Sequence, residues 1–306
     1  MNLSFGATHR ALLVAVACSV FTTGCLEKMG LNAFLGATRD GSHSLNTFQD
    51  FEIAREATAA GLGQLEGMHK LAPWNEDGLF MLARGWATNS YFFAEDSYEE
   101  AVAKGDAPAA NYHLRRARAG FVRSLYFGQE LLKRSDDGFD AATQDAGAMS
   151  AWLDDNFESD EDALRLLWVG FSWVEHAHVS KELKDVQARL FVGLEMLKRS
   201  LEIDENLEHG MAHTLLGAYG SDLAENEKHF KRALELNDGG FLPTKLSYAT
   251  TFYCAKSDKA AYEKLLGEVL SATDAIPAAR LPNTVAKRRA RRYLGAPAFQ
   301  KSCGFS

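Results

Sequence analysis

Apolar residues recur along most of this chain with a helical period. Leu79, Leu82, Trp86 and Phe93 stand three, four and seven apart, a spacing that gathers them on one face of a helix. Leu164, Trp168, Phe171 and Val174 repeat the pattern, as do Leu190, Leu194, Leu197 and Leu201. All 6 prolines (Pro73, Pro108, Pro243, Pro277, Pro282 and Pro297) fall between such segments. A proline inside a helix costs about 3 kcal/mol, so these mark boundaries. No stretch shows a sustained alternation of β-branched residues. The pattern predicts an all-α chain with helices over 47–71, 76–104, 108–134, 183–201, 211–219, 225–236, 243–255, 259–271 and 282–294. A further helix opens at Ser159, where Asp162 three residues on makes an approximate capping box. The Asp- and Gly-rich stretch 136–148 reads as a loop.

One polar-apolar pattern returns. Residues 196–204 (MLKRSLEID) are echoed by residues 229–237 (HFKRALELN), 33 positions later. Lys198 and Lys231, Arg199 and Arg232, Leu201 and Leu234, and Glu202 and Glu235 are identical. A self-echo at this period marks stacked helix pairs of the tetratricopeptide type, about 34 residues per pair. The clearest pair is 211–219 with 225–236, whose Leu216-Gly217, Phe230 and Ala233 occupy the small and aromatic positions of such a unit, with a trimmed turn between the helices. Tyr262, 32 positions after Phe230, begins a weaker third copy. The expected fold is a tetratricopeptide-like helix-pair array, an α-solenoid, forming one compact domain over 47–306. Arrays of this kind bind and scaffold.

The N-terminus follows a different logic. Residues 1–10 carry one arginine and no acid, residues 11–21 are continuously apolar, and Thr22, Thr23, Gly24 and Cys25 follow. This is the plan of a secretory signal peptide. Its apolar segment would rise only about 16 Å as a helix, too short for a bilayer core. Residues 1–24 are therefore expected to be a lipoprotein signal, with Cys25 as the lipidated first residue and 25–46 as a tether with a short helical piece. Leu26 follows the cysteine where an inner-membrane retention aspartate would stand, so the expected location is the outer membrane, facing the periplasm.

Charge narrows the function classes. The chain has 41 acidic against 33 basic residues, net −8. Losing residues 1–24 removes Arg10 and no acid, which makes it −9. That balance argues against nucleic acid as a partner. No phosphate loop is present, Gly61-Leu62-Gly63 lacks the third glycine of a dinucleotide loop, and Ser172 lacks the second glycine of a nucleophile elbow. The chain is read as a non-enzyme with no cofactor. His209 and His213 are four apart, but no third metal ligand is evident, so both read as satisfied or exposed histidines rather than a zinc pair. Cys254 reads as a small buried hydrophobe, although the periplasm would permit a Cys254–Cys303 bridge. The basic run 287–292 (KRRARR) reads as a solvated end-cap, or as a contact for acidic partners or lipid headgroups. Trp168 and Trp173 are five apart and cannot share a helix face, so one is expected in the core and the other at a pocket or subunit contact.

Several stretches together resemble the T component associated with TRAP transporters. They are residues 71–75 (LAPWN), 82–93 with Gly85 and an aromatic end, 116–132 (RARAGFVRSLYFGQELL), 167–178 with Trp168 and Trp173, the two echoing helices, and 280–294 (RLPNTVAKRRARRYL). The resemblance implies a periplasmic lipoprotein that partners a TRAP-type substrate-binding P component, assembles as a homotrimer, and holds or passes a small, hydrophobic ligand through openings in its helical array. Trp74, Asn75, Trp86, Tyr91, Trp168, Trp173 and Arg288, all from these stretches, are the expected ligand or partner contacts. The other reading open to such an array is a general adaptor that binds peptides or envelope-assembly partners.

Overall fold

Side-chain caps start most of the long helices. The computed structural model describes residues 28–305; the expected signal segment and Cys25 lie outside the described residues. Residues 28–41 form α1, followed by a 3₁₀ segment, Ser42–Thr47. Asp50 accepts the backbone N–H groups of Glu52 and Ile53 and opens α2 (Phe51–Leu71). Asn75 accepts that of Gly78 at 2.7 Å and opens α3 (Glu76–Thr88). A π-helical stretch, Asn89–Ala94, joins α3 without a break to α4 (Glu95–Lys104), so the helix expected over 76–104 is continuous but locally widened. Asp106 caps α5 (Ala107–Leu132), which takes Pro108 in its first turn. Ser159 and Asp162 cap each other's backbone at the start of α8 (Asp160–His178), the capping box expected there.

Other boundaries differ from the pattern. The expected loop 136–148 holds α6 (Phe139–Ala142) and the start of α7 (Ala146–Asn156), too short for their period to stand out. The single helix expected over 183–201 divides at Arg189 into α9 (Lys184–Ala188) and α10 (Leu190–Ile203). There the Arg189 carbonyl accepts the Trp173 indole N–H at 2.8 Å. α11 (Leu207–Tyr219) begins with Glu208, His209 and Gly210 in left-handed conformation, so regular helix starts only at Met211. α12 (Leu223–Leu236) follows an Asp222 cap. α13 (Leu242–Ser247) runs into a second π-helical stretch, Tyr248–Tyr253. The chain ends with α14 (Lys259–Ser271), α15 (Arg280–Gly295) and α16 (Pro297–Ser302). No strand occurs among the described residues.

Successive helices pack in order. α3 lies on α5, α5 on α8, α8 on α10, α10 on α11 and α11 on α12, with α13, α14 and α15 beyond. Leu79, Leu82, Phe121, Leu131, Leu167, Leu197 and Leu215 join five of these helices in one core. Burying each such side chain contributes about 1.5–3 kcal/mol. Small residues set the closest approaches. A Cβ on Gly193 would stand 2.7 Å from Trp173 Cβ, and one on Gly217 would stand 2.9 Å from the Phe230 ring. Gly217 thus lets α11 and α12 approach closely.

Two findings change the expected picture. From residue 28 onward the presumed tether is docked. Leu35 is buried against Ala72 and Met81, and Arg39 pairs with Asp77 at 2.8 Å and Glu161 at 2.7 Å. The array also does not run open-ended, because α15 returns to pack on α2, α4 and the 3₁₀ segment. Arg288 donates to Asp96 at 3.1 Å, Arg292 to Asp96 at 2.8 Å and Glu99 at 2.7 Å, and the Tyr293 hydroxyl to Glu99. Three members of the basic run therefore turn inward rather than to solvent. Asp96 and Arg289 are almost wholly buried, and α4 pairs with Arg288, Arg289 and Arg292, while Lys287 donates to the Ala272 carbonyl and Arg291 stays exposed. Cys254 and Cys303 are bridged, which replaces the reading of Cys254 as a free buried thiol. The bridge closes a sequence separation of 49 residues, a constraint worth about 4 kcal/mol by chain-entropy reckoning.

Candidate functional site

The return of α15 leaves a partly open cavity of about 420 Å³. Its walls come from the π-helical stretch between α3 and α4, from α8, α11 and α13, and from α15 and α16. Both π-helical stretches line it: Tyr91 and Phe92 from the first, Thr250 and Thr251 from the second. A π turn widens the helix and turns side chains that an α-helix would stagger elsewhere, and such turns gather at functional sites. Trp168, Phe171, Phe241 and Phe299 are among its apolar lining. The volume is within the range of small-molecule sites. Lys181, Ala298 and Ser302 are exposed members of the lining, and Thr88, Met211 and Arg289 are among its buried members.

The interior is more polar than that aromatic lining suggests. Glu95, Glu175 and Arg289 are each at most 3 % exposed. Glu95 Oε2 lies 3.6 Å from Arg289 Nη2, and Glu99 Oε2 lies 3.6 Å from Arg289 Nε. Arg289 Nη2 also donates to the Tyr91 carbonyl. Glu95 Oε1, Glu175 Oε2, Trp168 Nε1 and Arg289 Nε have no hydrogen-bond partner. Leaving such groups buried and unpaired costs about 1–3 kcal/mol each, more for charges. Burial, reinforced by neighbouring Glu175, holds the Glu95 carboxyl well above the usual range. Burial pushes Glu175 up to about 7, although the Tyr219 hydroxyl beside it and Arg289 oppose the shift. Burial also pushes His178 down to about 3, with Lys181 and Arg289 adding to the effect, so that imidazole is neutral. The Tyr91, Tyr219 and Tyr293 hydroxyls are raised by burial first and stay protonated.

The turn before α11 supports this wall. Three consecutive left-handed residues, two of them not glycine, store strain. They place Glu208 to pair with Arg84 at 3.2 Å, and the Arg84 guanidinium lies over the Trp168 ring at 4.9 Å. His209 is held in this turn against Phe241, while His213 Nδ1 lies 2.8 Å from His229 Nδ1 and His213 Nε2 lies 3.3 Å from Glu205. The premise that one helix face could present His209 and His213 together therefore fails. Among the described residues, no group of three or more His, Cys, Asp or Glu is placed to hold a metal ion. Ser172 is a core residue that bonds Ser124 Oγ at 2.7 Å and the Trp168 carbonyl at 2.9 Å.

Of the residues expected to make contacts, Tyr91 and Trp168 meet in the cavity. The others do not. Trp74 and Asn75 donate to Asn32 at 3.2 and 3.0 Å, which makes them a clasp on α1. Trp86 donates to Glu66 at 2.9 Å, outside the cavity. Trp173 is in the second core with Phe139 and Met196. Arg288 lies over the Phe51 ring at 3.9 Å and pairs with Asp96. Sequence reasoning missed Glu95, Glu175, Arg289 and Tyr219. The available signal for Glu175 was a single acid inside the apolar run 166–177. A second hollow of about 430 Å³ lies between the 3₁₀ segment, α2 and α3, lined by Leu45, Leu62, Met68 and Arg84. Thr88 belongs to the walls of both hollows.

No helix among the described residues is long and apolar enough to cross a membrane. A comparison with curated proteins finds no match. Residues 47–298 match the family of the TRAP transporter T-component, and the chain belongs to that family. Membership makes it an accessory component of a TRAP transport system, in a family of transporter parts rather than enzymes, and agrees with a periplasmic or membrane-associated location.

Proposed function

We propose that this T-component is a non-enzymatic lipoprotein, anchored through Cys25 in the outer membrane and facing the periplasm. It scaffolds the substrate-binding P component of its TRAP system and holds a small, apolar-bodied ligand for transfer. The observation that carries the reading is the partly open cavity, lined in part by aromatic residues, beside buried polar atoms without partners. A cavity that had no occupant would gain from apolar or paired groups at those positions. The second hollow, which shares Thr88 with the first, supports a route by which a ligand could pass between two sides of the helical frame. The frame itself is read as tetratricopeptide-like helix pairs. Tyr112, Val122 and Tyr126 lie exposed along one face of α5 and suit a subunit contact in a homotrimer.

The test is co-purification of the chain from residue 26 onward with the TRAP solute-binding protein encoded beside it. The expected outcome is a stable complex at micromolar concentration. Absence of association at that concentration would remove the scaffolding role.

A further inference from the structure

The cavity's charges do not balance, and the imbalance specifies what the cavity is built to receive. This inference rests on reading the cavity as a ligand site. α4 contributes Glu95 and Glu99, α8 contributes Glu175, and α15 contributes Arg289. Glu99 is fully engaged, since Oε2 accepts from Arg292 at 2.7 Å and Oε1 from the Tyr293 hydroxyl. Glu95 and Glu175 are left to share one guanidinium, and each keeps an oxygen with no partner. From α11 comes the Tyr219 hydroxyl, which is neutral, and Lys181 beyond the end of α8 is exposed to solvent. His178 is neutral as well. The buried set therefore carries an excess of one negative charge whenever both glutamates are ionised.

We propose that the cavity takes a small organic amine as its ammonium ion, with the charged end at the free oxygens of Glu95 and Glu175 and the apolar body against Trp168 and Phe171. An ammonium group has three N–H donors and no acceptor, so it suits a site whose two neighbouring carboxylates each keep an oxygen without a hydrogen-bond partner. Its charge would cancel the excess, and aromatic faces around it add cation–π attraction. A carboxylate ligand would bring a second surplus charge into a site already acidic. A hard metal ion needs six or more oxygens in a shell, and among the described residues no group of three or more His, Cys, Asp or Glu is placed to hold one. Without an amine, a proton neutralises the same pair, in keeping with the raised Glu175 and Glu95 carboxyls. Binding of the ammonium should then expel that proton.

The experiment is calorimetric titration of the full-length protein at pH 6.5 with hexylammonium, hexanol and hexanoate, in two buffers of different ionisation enthalpy. Hexylammonium should bind at least about tenfold more tightly than either other probe. It should release up to about one proton per molecule bound. Glu175→Gln should remove both the preference and the proton release while hexanol binding persists. If that variant does not fold, the probe ranking and the proton count in the unaltered protein decide. Tightest binding of hexanoate, equal binding of amine and alcohol, or amine binding without proton release would overturn the proposal. Hexanol or hexanoate binding alone would leave the cavity a ligand site of another chemistry. If no probe binds, the ligand-holding role falls too, whereas the scaffolding role is decided separately by the co-purification.

Discussion

The helices that carry the echo and the helices that wall the cavity handle polar groups in opposite ways. In α10 and α12, Arg199 pairs with Glu202 and Arg232 with Glu235, each three residues on and each at 3.2 Å. The equivalent inward positions, Leu197 with Phe230 and Ser200 with Ala233, are all fully buried. The sequence echo is thus an echo of contacts, and each arginine also reaches a neighbouring element, Arg199 to Asp154 at 3.3 Å and to the Phe157 carbonyl at 2.9 Å, Arg232 to Glu205. In α15 the charges reach across the fold instead. Arg292 meets Glu99 from 193 residues away, and Arg288 meets Asp96 from 192. The partners there do not come out even. Among the described residues, the buried atoms without partners include Glu95 Oε1, Glu175 Oε2, Trp168 Nε1 and Arg289 Nε, and α10, α11 and α12 contribute none. The echoing helices leave no buried side-chain polar atom without a partner, whereas the closure that joins distant helices does.

The largest test of this contrast is Ala233→Glu. Ala233 is fully buried where α12 packs on α11, with Gly210 close by. A carboxylate there should cost about 3–5 kcal/mol, read as a drop of roughly 10 °C in the thermal midpoint. An unchanged midpoint would mean that the repeat does not hold the frame. The next largest effect should have the opposite sign. Glu175 titrates higher in the folded protein than in the unfolded chain, so the native state binds the extra proton. Stability should therefore fall as pH rises from about 4.5 towards 7. Glu175→Gln keeps the shape without the charge and should stabilise the protein by about 1–3 kcal/mol at pH 8, with little effect at pH 5. Denaturant midpoints at the two pH values would show it, and loss of stability at pH 8 would mean that Glu175 is paired after all. The smallest effect belongs to the frame's surface. Lys198→Ala removes an exposed pair with Glu195 at 2.7 Å and should change stability by less than about 0.5 kcal/mol. A larger loss would make the frame's surface pairs more than solvated decoration.

The frame was more legible in the sequence than the site. Caps, prolines and periodicity place α14 at Lys259–Ser271 and the Ser159 capping box where the structure has them. α7 escaped because eleven residues hold few turns to count. The break at Arg189 escaped because the bond that marks it, from the Trp173 indole, comes from sixteen positions away. At the site, Tyr91 and Trp168 could be picked out as aromatic residues, but Arg289 looked like one solvated charge among five basic residues of the run 287–292. A charge run has the same sequence pattern whether it faces water or a facing row of acids. Only the return of α15 to α4 places Arg289 at 3 % exposure beside Glu95.

By itself, then, the sequence determined the local things: helical class, most helix starts, the recurrence of α10 in α12, and membership in the T-component family. Those depend on interactions within a few turns of chain, which spacing records directly. Closure of the array, the inward turn of the basic run, the Cys254–Cys303 bridge and the unbalanced pair Glu95 and Glu175 were decided by tertiary structure alone. Each depends on what stands opposite a residue after folding, and burial changes a charge's energy by more than its identity does.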